Sequence, residues 1–344
     1  MSDTREILRR GIGDFAPGPE GYEQVLRRLE RRRLNKRIAA GAVAAMIVLT
    51  GALAFLTAVR TEPPLVTDDP VGNGKIAYPE DDQIVVIEPD GSGRIQLTSG
   101  RYSDDPTWSP DGSKIAYVRV ATSLTIMNAD GSDQILVQGP INERTYHIFH
   151  PSWSPDGTQL VFAVGATGAG RHKATYKLYV VNVDGSGLTK ITDGPQDWWP
   201  SWSPDGTRIA FVSGPVGAKR DLATISPDGS NRTTLVRGYT DYPDWSPDGA
   251  QILFVKRSGR GSDVLAINPD GTGRTRLTHS PGKAEYFPVF SPDGTQIAFR
   301  RPVTNWHSYI VTVSIDGPGG SVRVTEVGHT EASLSWQPAP SSDS

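Results

Sequence analysis

The sequence predicts an all-β, six-bladed β-propeller of four-stranded blades, preceded by a single transmembrane helix. Three observations predict it: a repeat of about 45 residues, chain ends that complement each other as strands of one blade, and one uncharged segment of membrane-spanning length. The expected organisation is a cytoplasmic basic tail over residues 1–37, a transmembrane helix over 38–59, a linker over 60–74, the propeller over 75–338 and a disordered tail over 339–344.

The expected membrane anchor is the segment Ile38–Val59, which has 22 residues and no charge. As a helix rising about 1.5 Å per residue, it would cross the roughly 30 Å hydrocarbon core of a bilayer. Seven Lys or Arg residues lie between Arg27 and Arg37, against the single acid Glu30. The positive-inside rule therefore predicts a cytoplasmic N-terminus and an extracytoplasmic propeller. A cleaved signal peptide is the alternative, but its apolar core would be shorter, about 7–15 residues.

The basic tail, residues 1–37, has two interpretations. Its apolar residues recur at helical spacing opposite an Arg-rich face, as Tyr22, Val25, Leu26 and Leu29. Such a helix could lie on anionic lipid next to the membrane. It could instead dock a cytoplasmic partner, which would make signalling across the membrane possible.

The repeat is the pentapeptide Trp-Ser-Pro-Asp-Gly, which begins at Trp108, Trp153, Trp202 and Trp245. A fifth copy begins with Phe290. The next aromatic, followed by Gln-Pro, stands 46 residues further on as a shortened sixth copy. A proline lies two residues before the aromatic in the first five copies. This period, with four strands in each copy, is the signature of a propeller.

Each copy is interpreted as four strands. The first ends at the aromatic residue, and Ser-Pro-Asp-Gly makes a tight turn because Pro presets φ and Gly closes the turn. An apolar second strand follows, then a third that ends in another Asp-Gly turn before the fourth. These second turns lie at Asp90, Asp130, Asp184, Asp228, Asp270 and Asp316. Six such turns predict six blades.

The chain ends predict how the ring closes. Lys75–Tyr78 has the pattern of a second strand with no first strand before it. Ser333–Gln337 has the pattern of a first strand with nothing after it. Joined, the two segments complete one blade.

The motif closely resembles the repeat of the TolB-like propeller family, which is similar to WD-repeat propellers in fold. The resemblance covers about residues 70–338 and all five motif positions in each of four copies. It implies a propeller of the kind typical of bacterial extracytoplasmic proteins.

Composition excludes several functions. The chain has no cysteine, which rules out disulfides, thiol catalysis and Cys-based zinc sites. After residue 59 there are 25 Lys or Arg against 32 Asp or Glu, so no nucleic-acid binding is expected. Neither a Gly-x-Ser-x-Gly elbow nor a complete dinucleotide fingerprint occurs. No catalytic residue, metal ligand or cofactor is therefore assigned.

The repeated Asp and Trp residues are interpreted as structural. Each motif Asp follows Pro in a turn, where its carboxylate can accept backbone N–H groups. One Asp per turn, spread around a ring, does not bring together the several oxygens that calcium needs. The repeated Trp residues are expected to pack between neighbouring blades.

Function is expected on the face opposite the Asp-Gly turns, because the loops there vary while the turns do not. Loops between blades would form an aromatic and acidic channel mouth inside a basic rim. The candidate ligand-binding residues at this mouth are Tyr102, Asp104, Tyr146, His147, Phe149, His150, Asp197, Trp198, Trp199, Asp241, Tyr242, Glu285, Tyr286, His279 and His329.

Three interpretations of the mouth remain. It could bind an extracytoplasmic protein, a peptide or an envelope carbohydrate, since exposed aromatic residues are common anchors. It could use histidines such as His147 and His150 to hold a metal, as in propeller-built oligogalacturonate lyases, and act as a metal-dependent carbohydrate-active enzyme. It could also be a set of solvated loops. The first predicts a binding or sensing module that is not an enzyme.

Overall fold

The computed structural model describes the propeller with a few gaps. The described residues are 73–139, 141, 146–166, 175–194, 196–215, 219–259, 261–304, 307–315, 322–327 and 333–338. They contain no helix long and apolar enough to span a membrane. The expected tail 1–37, the helix Ile38–Val59, the linker up to residue 72 and the terminus 339–344 lie outside them.

Six four-stranded antiparallel sheets form the six blades, which confirms the predicted six-bladed propeller. Each blade runs outward from an innermost strand beside the central channel. Blade 1 contains β1 (Ile76–Glu80), β2 (Gln83–Ile87) and β3 (Ile95–Gln96), blade 2 contains β4 (Ser103–Trp108), β5 (Lys114–Arg119), β6 (Ser123–Asn128) and β7 (Ile135–Gln138), and blade 3 contains β8 (Tyr146–Trp153), β9 (Gln159–Ala166), β10 (Thr175–Asn182) and β11 (Thr189–Lys190).

The remaining blades have the same order. Blade 4 contains β12 (Asp197–Trp202), β13 (Ile209–Ser213), β14 (Asp221–Ile225) and β15 (Thr233–Val236), blade 5 contains β16 (Thr240–Trp245), β17 (Ile252–Ser258), β18 (Gly261–Ile267) and β19 (Thr275–Arg276), and blade 6 contains β20 (Tyr286–Phe290), β21 (Gln296–Pro302), β22 (Ser308–Ser314) and β23 (Val322–Val327). The last strand, β24 (Ser335–Trp336), is the innermost strand of blade 1.

Ring closure occurs as predicted, through pairing of the two chain ends. β24 is antiparallel to β1, with Trp336 opposite Ile76. The indole N–H of Trp336 donates to the Gly74 carbonyl at 2.8 Å, and the side-chain amide of Gln337 donates to the Gly112 carbonyl in blade 2 at 3.0 Å. These contacts fix blade 1 to its neighbour as well as closing it.

The hydrophobic core consists of six clusters, each between two adjacent blades. Between blades 1 and 2, for example, Ile84 and Val86 pack with Trp108, Tyr117 and Met127. The repeated Trp residues belong to these clusters, which confirms their expected role in blade packing. Every blade thus buries one sheet face against each neighbour, and the ring is a rigid scaffold around the channel.

The motif turns have the predicted chemistry. In the first copy, Asp111 accepts the Ser113 N–H at 3.0 Å and the Ser109 hydroxyl at 2.5 Å. The Ser109 hydroxyl oxygen in turn accepts the Lys114 N–H at 2.9 Å. The pKa of Asp111 lies below its ordinary value, because these hydrogen bonds outweigh the effect of burial. The motif carboxylates are therefore engaged in holding the turns.

Candidate functional site

The expected mouth residues lie mostly in the innermost strands, and not in inter-blade loops as predicted. The strands begin earlier because each contains a β-bulge: the register of β12 against β13, for instance, shifts between Trp198 and Ser201. The same shift occurs in β4, β8, β16 and β20. The proline two residues before the aromatic lies in each bulge, since Pro cannot donate a ladder hydrogen bond.

The residue before each bulge proline has a left-handed backbone, with φ between 49° and 54°. This conformation is costly for residues other than glycine, so surrounding contacts must hold it. Together with the equivalent residue of blade 1, these side chains meet on the channel axis and are here called the plug. The plug consists of Asp105, His150, Trp199, Tyr242, Phe287 and Ser333.

One half of the plug is polar. Nδ1 of His150 lies 3.0 Å from Oδ1 of Asp105, and the His150 backbone N–H donates to Oδ2 of Asp105 at 2.9 Å. The Ser333 hydroxyl donates to Oδ1 of Asp105 at 3.1 Å. Burial raises the pKa of Asp105, but the charge and hydrogen bonds of His150 more than offset it, so the pKa lies below its ordinary value.

The other half of the plug is aromatic. Ring centroids lie 5.8 Å apart for His150 and Trp199, 4.4 Å for Trp199 and Tyr242, and 4.1 Å for Tyr242 and Phe287. The Phe287 and His150 rings, 6.0 Å apart, complete the circuit. The four rings line cavities on both sides, so the plug divides the channel into two chambers.

The chamber on the face opposite the Asp-Gly turns is here called the mouth chamber and has a volume of about 650 Å³. Eight of the candidate residues line it: Tyr102, Asp104, Phe149, His150, Trp198, Trp199, Tyr242 and Tyr286. Asp105, Phe287, Arg257 and Arg300 line it too. The mouth chamber therefore combines aromatic walls with both signs of charge.

Asp104 is one of the two acids that line the mouth chamber. The Tyr102 hydroxyl donates to Oδ2 of Asp104, and Oδ1 accepts the Asp105 N–H at 2.8 Å. Burial, followed by the neighbouring Asp105 carboxylate, raises the pKa of Asp104 to about 7. Asp104 is thus an acid that titrates near neutral pH.

Three of the predicted mouth acids, Asp197, Asp241 and Glu285, are instead fully buried, so the acids that line the chamber are Asp104 and Asp105. Asp197 and Glu285 lie one residue earlier in their blades than Asp104 does, and neither lines the mouth chamber. Arg232 lies 3.4 Å from Asp197, and Arg301 donates to Glu285 at 2.7 Å.

Asp241 is covered from both sides by Arg220, at 2.5 Å, and Arg257, at 2.9 Å. Burial nevertheless holds the pKa of Asp241 above its ordinary value despite the two guanidinium groups. Arg220 also lies over the Trp199 ring, 4.9 Å from its centroid. The Arg220–Asp241 pair is therefore in contact with the plug through the Trp199 ring.

The remaining candidates are not brought together at the chamber. His147 stacks on Phe149 with ring centroids 5.9 Å apart. His279 is exposed beyond the outermost strand of blade 5. Tyr146 begins β8, and His329 lies outside the described residues. Over the described ranges, no group of three or more His, Asp or Glu side chains is arranged to hold a metal ion.

Arg300 is the lining residue that sequence reasoning missed. It lies in the second strand of blade 6, opposite Tyr286, and is buried. The equivalent positions of four other blades carry Val118, Val164, Val212 and Val255. Alignment of the repeats against one another would have shown Arg300 as the one cation at a position that is valine in four other blades.

Comparisons with known proteins agree with this architecture. TolB from Acinetobacter baumannii is 20% identical with a TM-score of 0.60, and the match covers 77% of this chain and 67% of that one. The putative TolB from Agrobacterium tumefaciens is 22% identical with a TM-score of 0.60, covering 79% and 95%. An oligogalacturonate lyase in complex with manganese is 18% identical with a TM-score of 0.54, covering 71% and 70%.

At these identities the solved structures establish the fold alone. A search of curated proteins gave no match. The sequence does match the profile described as the TolB beta propeller domain, over residues 73–339, which is most of the chain. The repeat, the six blades and this match together show that the chain belongs to the TolB beta propeller family.

Proposed function

We propose that this protein is a membrane-anchored, extracytoplasmic binding module, not an enzyme. Its mouth chamber would engage a segment of an extracytoplasmic protein or an envelope carbohydrate. The observation that carries the proposal is the mouth chamber itself, a cavity of about 650 Å³ with the plug as its floor. This volume is within the roughly 300–1,000 Å³ of small-ligand and side-chain pockets.

The chemistry of the chamber supports binding. Tyr102 is 41% exposed, and its hydroxyl is held by Asp104. The Arg257 side chain is about half exposed, which leaves guanidinium donors free for a ligand while one N–H is used on Asp241. Aromatic faces beside such donors suit sugar rings and the aromatic or acidic side chains of a peptide.

Burial and ion pairing indicate a structural role for three of the carboxylates predicted at the mouth. Asp197, Asp241 and Glu285 each have an Arg partner and no exposed surface. A general acid or base must reach the proton that it transfers, and none of these three lines the mouth chamber. The Arg220–Asp241 pair also joins blade 4 to blade 5.

The anchor and its orientation rest on the sequence. The uncharged segment Ile38–Val59 follows the Arg-rich part of the tail, which favours a cytoplasmic N-terminus and a propeller outside. Residues 1–37 could then contact a cytoplasmic partner and report ligand binding. Added protease should digest the propeller of the full chain in intact spheroplasts and leave the tail protected, and the opposite pattern would reject this topology.

The binding proposal is tested by affinity capture with the full-length chain from cells treated with a short cross-linker. Tyr102→Ala should lose the captured partner, because it removes an aromatic wall of the mouth chamber. Tyr239→Ala is the matched control, since Tyr239 is 46% exposed and does not line the chamber. Equal capture by wild type and both variants would show that the partner binds elsewhere.

A further inference from the structure

The chamber below the plug, here called the turn chamber, contains one carboxyl group, that of Asp244. This chamber has a volume of about 490 Å³ and reaches the motif turns, since Pro247 and Pro292 line it. Asp244 precedes the repeated aromatic of blade 5. The equivalent positions of the other blades carry Thr107, Ser152, Ser201, Val289 and Ser335, and all of them line the chamber.

The structural role of this position does not need a charge. In blade 3, the Ser152 hydroxyl oxygen accepts the Trp202 N–H of the next blade at 3.1 Å. In blade 5, Oδ2 of Asp244 accepts the Phe290 N–H at 3.0 Å in the same way. A hydroxyl therefore satisfies the neighbouring blade as well as a carboxylate does, and Asp244 brings an additional oxygen and a negative charge.

The charge of Asp244 has no cation beside it in the described part of the chain. No Lys or Arg lines the turn chamber. The other hydrogen-bond donors to the Asp244 carboxyl are the Ser201 hydroxyl, at 3.5 Å, and the Trp245 backbone N–H. A carboxylate can accept about four hydrogen bonds, so acceptor capacity remains on the side of the cavity. A buried carboxylate is unfavourable unless a cation or hydrogen bonds compensate for its lost hydration.

The chamber walls supply the second element of a cation site. Trp199, Tyr242 and Phe287 of the plug form its roof, and Trp245 and Trp336 line its sides. Aromatic faces attract cations, and ammonium groups enclosed by aromatic rings near a carboxylate are a recurrent arrangement. A hard metal ion would require several oxygens at fixed geometry. Here Asp244 is the one carboxylate, and among the hydroxyls that line the chamber those of Ser152 and Ser335 already accept a backbone N–H of the next blade.

We propose that the turn chamber binds an organic ammonium group, with Asp244 as its counter-ion and the aromatic rings of the plug as its roof. This site lies on the opposite side of the plug from the mouth chamber and does not depend on the function proposed there. The ligand would enter from the face of the motif turns.

The pH dependence of such a site follows from its titratable groups. Burial raises the pKa of Asp244 to about 7, partly offset by the hydrogen bonds from Phe290, Ser201 and Trp245. The other titratable groups that line the chamber are His150, which contacts Asp105, and Tyr242, whose pKa burial raises. Cation binding should therefore strengthen as pH rises, by about 30-fold between pH 5.5 and pH 8.5.

The test is titration of the full-length protein with tetramethylammonium, followed by calorimetry or by saturation-transfer NMR. Wild type should show saturable binding at pH 8.5 that is about 30-fold weaker at pH 5.5. Asp244→Asn and Asp244→Ser should lose it at least tenfold, and Ser is the residue that three other blades carry. Asp156→Asn, at an exposed motif turn outside both chambers, is the matched control and should bind as wild type does.

Three results would overturn the proposal. One is the absence of saturable tetramethylammonium binding at pH 8.5. Another is binding that survives in a folded Asp244→Ser protein. The third is displacement of tetramethylammonium by sodium or by neutral tert-butanol at equal concentration. Displacement by sodium would indicate a general counter-ion site, and displacement by tert-butanol would indicate a merely apolar cavity.

Discussion

Replacement of Asp244 by Asn should change how stability depends on pH. The folded-state pKa of this carboxyl is about 7 against an ordinary 3.8, because burial disfavours the charged form. The folded state therefore holds its proton more tightly, and wild type loses stability as pH rises from about 4 to about 7. Between pH 5 and pH 8 the loss covers roughly two pH units, or about 2.7 kcal/mol.

Asp244→Asn removes that loss, so its stability relative to wild type should rise by about 2.7 kcal/mol from pH 5 to pH 8. The assay is urea unfolding of the full-length chain, followed by tryptophan fluorescence at four pH values. Asp156→Asn is the control: hydrogen bonds lower the pKa of this exposed turn acid, so it stays ionised over the same range. A stability difference for Asp244→Asn that does not vary with pH would refute the reasoning.

Other perturbations give distinct expectations. Trp336→Ala should lower the free energy of unfolding by about 3–5 kcal/mol, because it removes the buried indole that closes the ring, as urea unfolding would show. Arg220→Met should cost about 3 kcal/mol by leaving buried Asp241 with one partner. Arg257→Met, at a half-exposed guanidinium, should cost about 1 kcal/mol in the same assay. Gly131→Ala should lower the melting temperature, since φ is 89° and its Cβ would lie 2.7 Å from a backbone carbonyl oxygen.

The blade count and ring closure could be predicted because each motif turn is stabilised by hydrogen bonds between residues close in sequence. Each motif turn is held by residues within five positions, as Ser109, Asp111 and Lys114 show. The complementary ends were readable for the same reason, since Lys75–Tyr78 and Ser333–Gln337 each match part of a motif-bearing blade. Local hydrogen bonds do not depend on where distant residues lie.

The aromatic character of the mouth was also predictable, but its electrostatics were not. Asp197 and Glu285 look like mouth acids in sequence. Their partners lie 35 and 16 residues away, Arg232 just before β15 and Arg301 in β21. Only the strand register shows that these side chains face the blade interior. The sequence therefore overstates the acidity of the mouth.

The convergence of the plug residues could be predicted only in part from the sequence. The bulge prolines are visible in the sequence, but the left-handed residue before each one results from pairing with the second strand. That pairing places Asp105 beside His150 across two blades, at a separation of 45 residues. A ring of six equivalent positions can be listed from the repeat alone, whereas their convergence on one axis is a property of the closed propeller.

Ligand binding at the mouth chamber is tested most directly by site-specific photo-cross-linking on living cells. A photoreactive phenylalanine analogue replaces Tyr102 at the mouth in one full-length variant and exposed Asp184 at a turn in another. We expect a discrete cross-linked partner or glycan from position 102 and none from position 184. If the variant at position 184 gives cross-links while a folded variant at position 102 gives none, binding at the mouth chamber is contradicted.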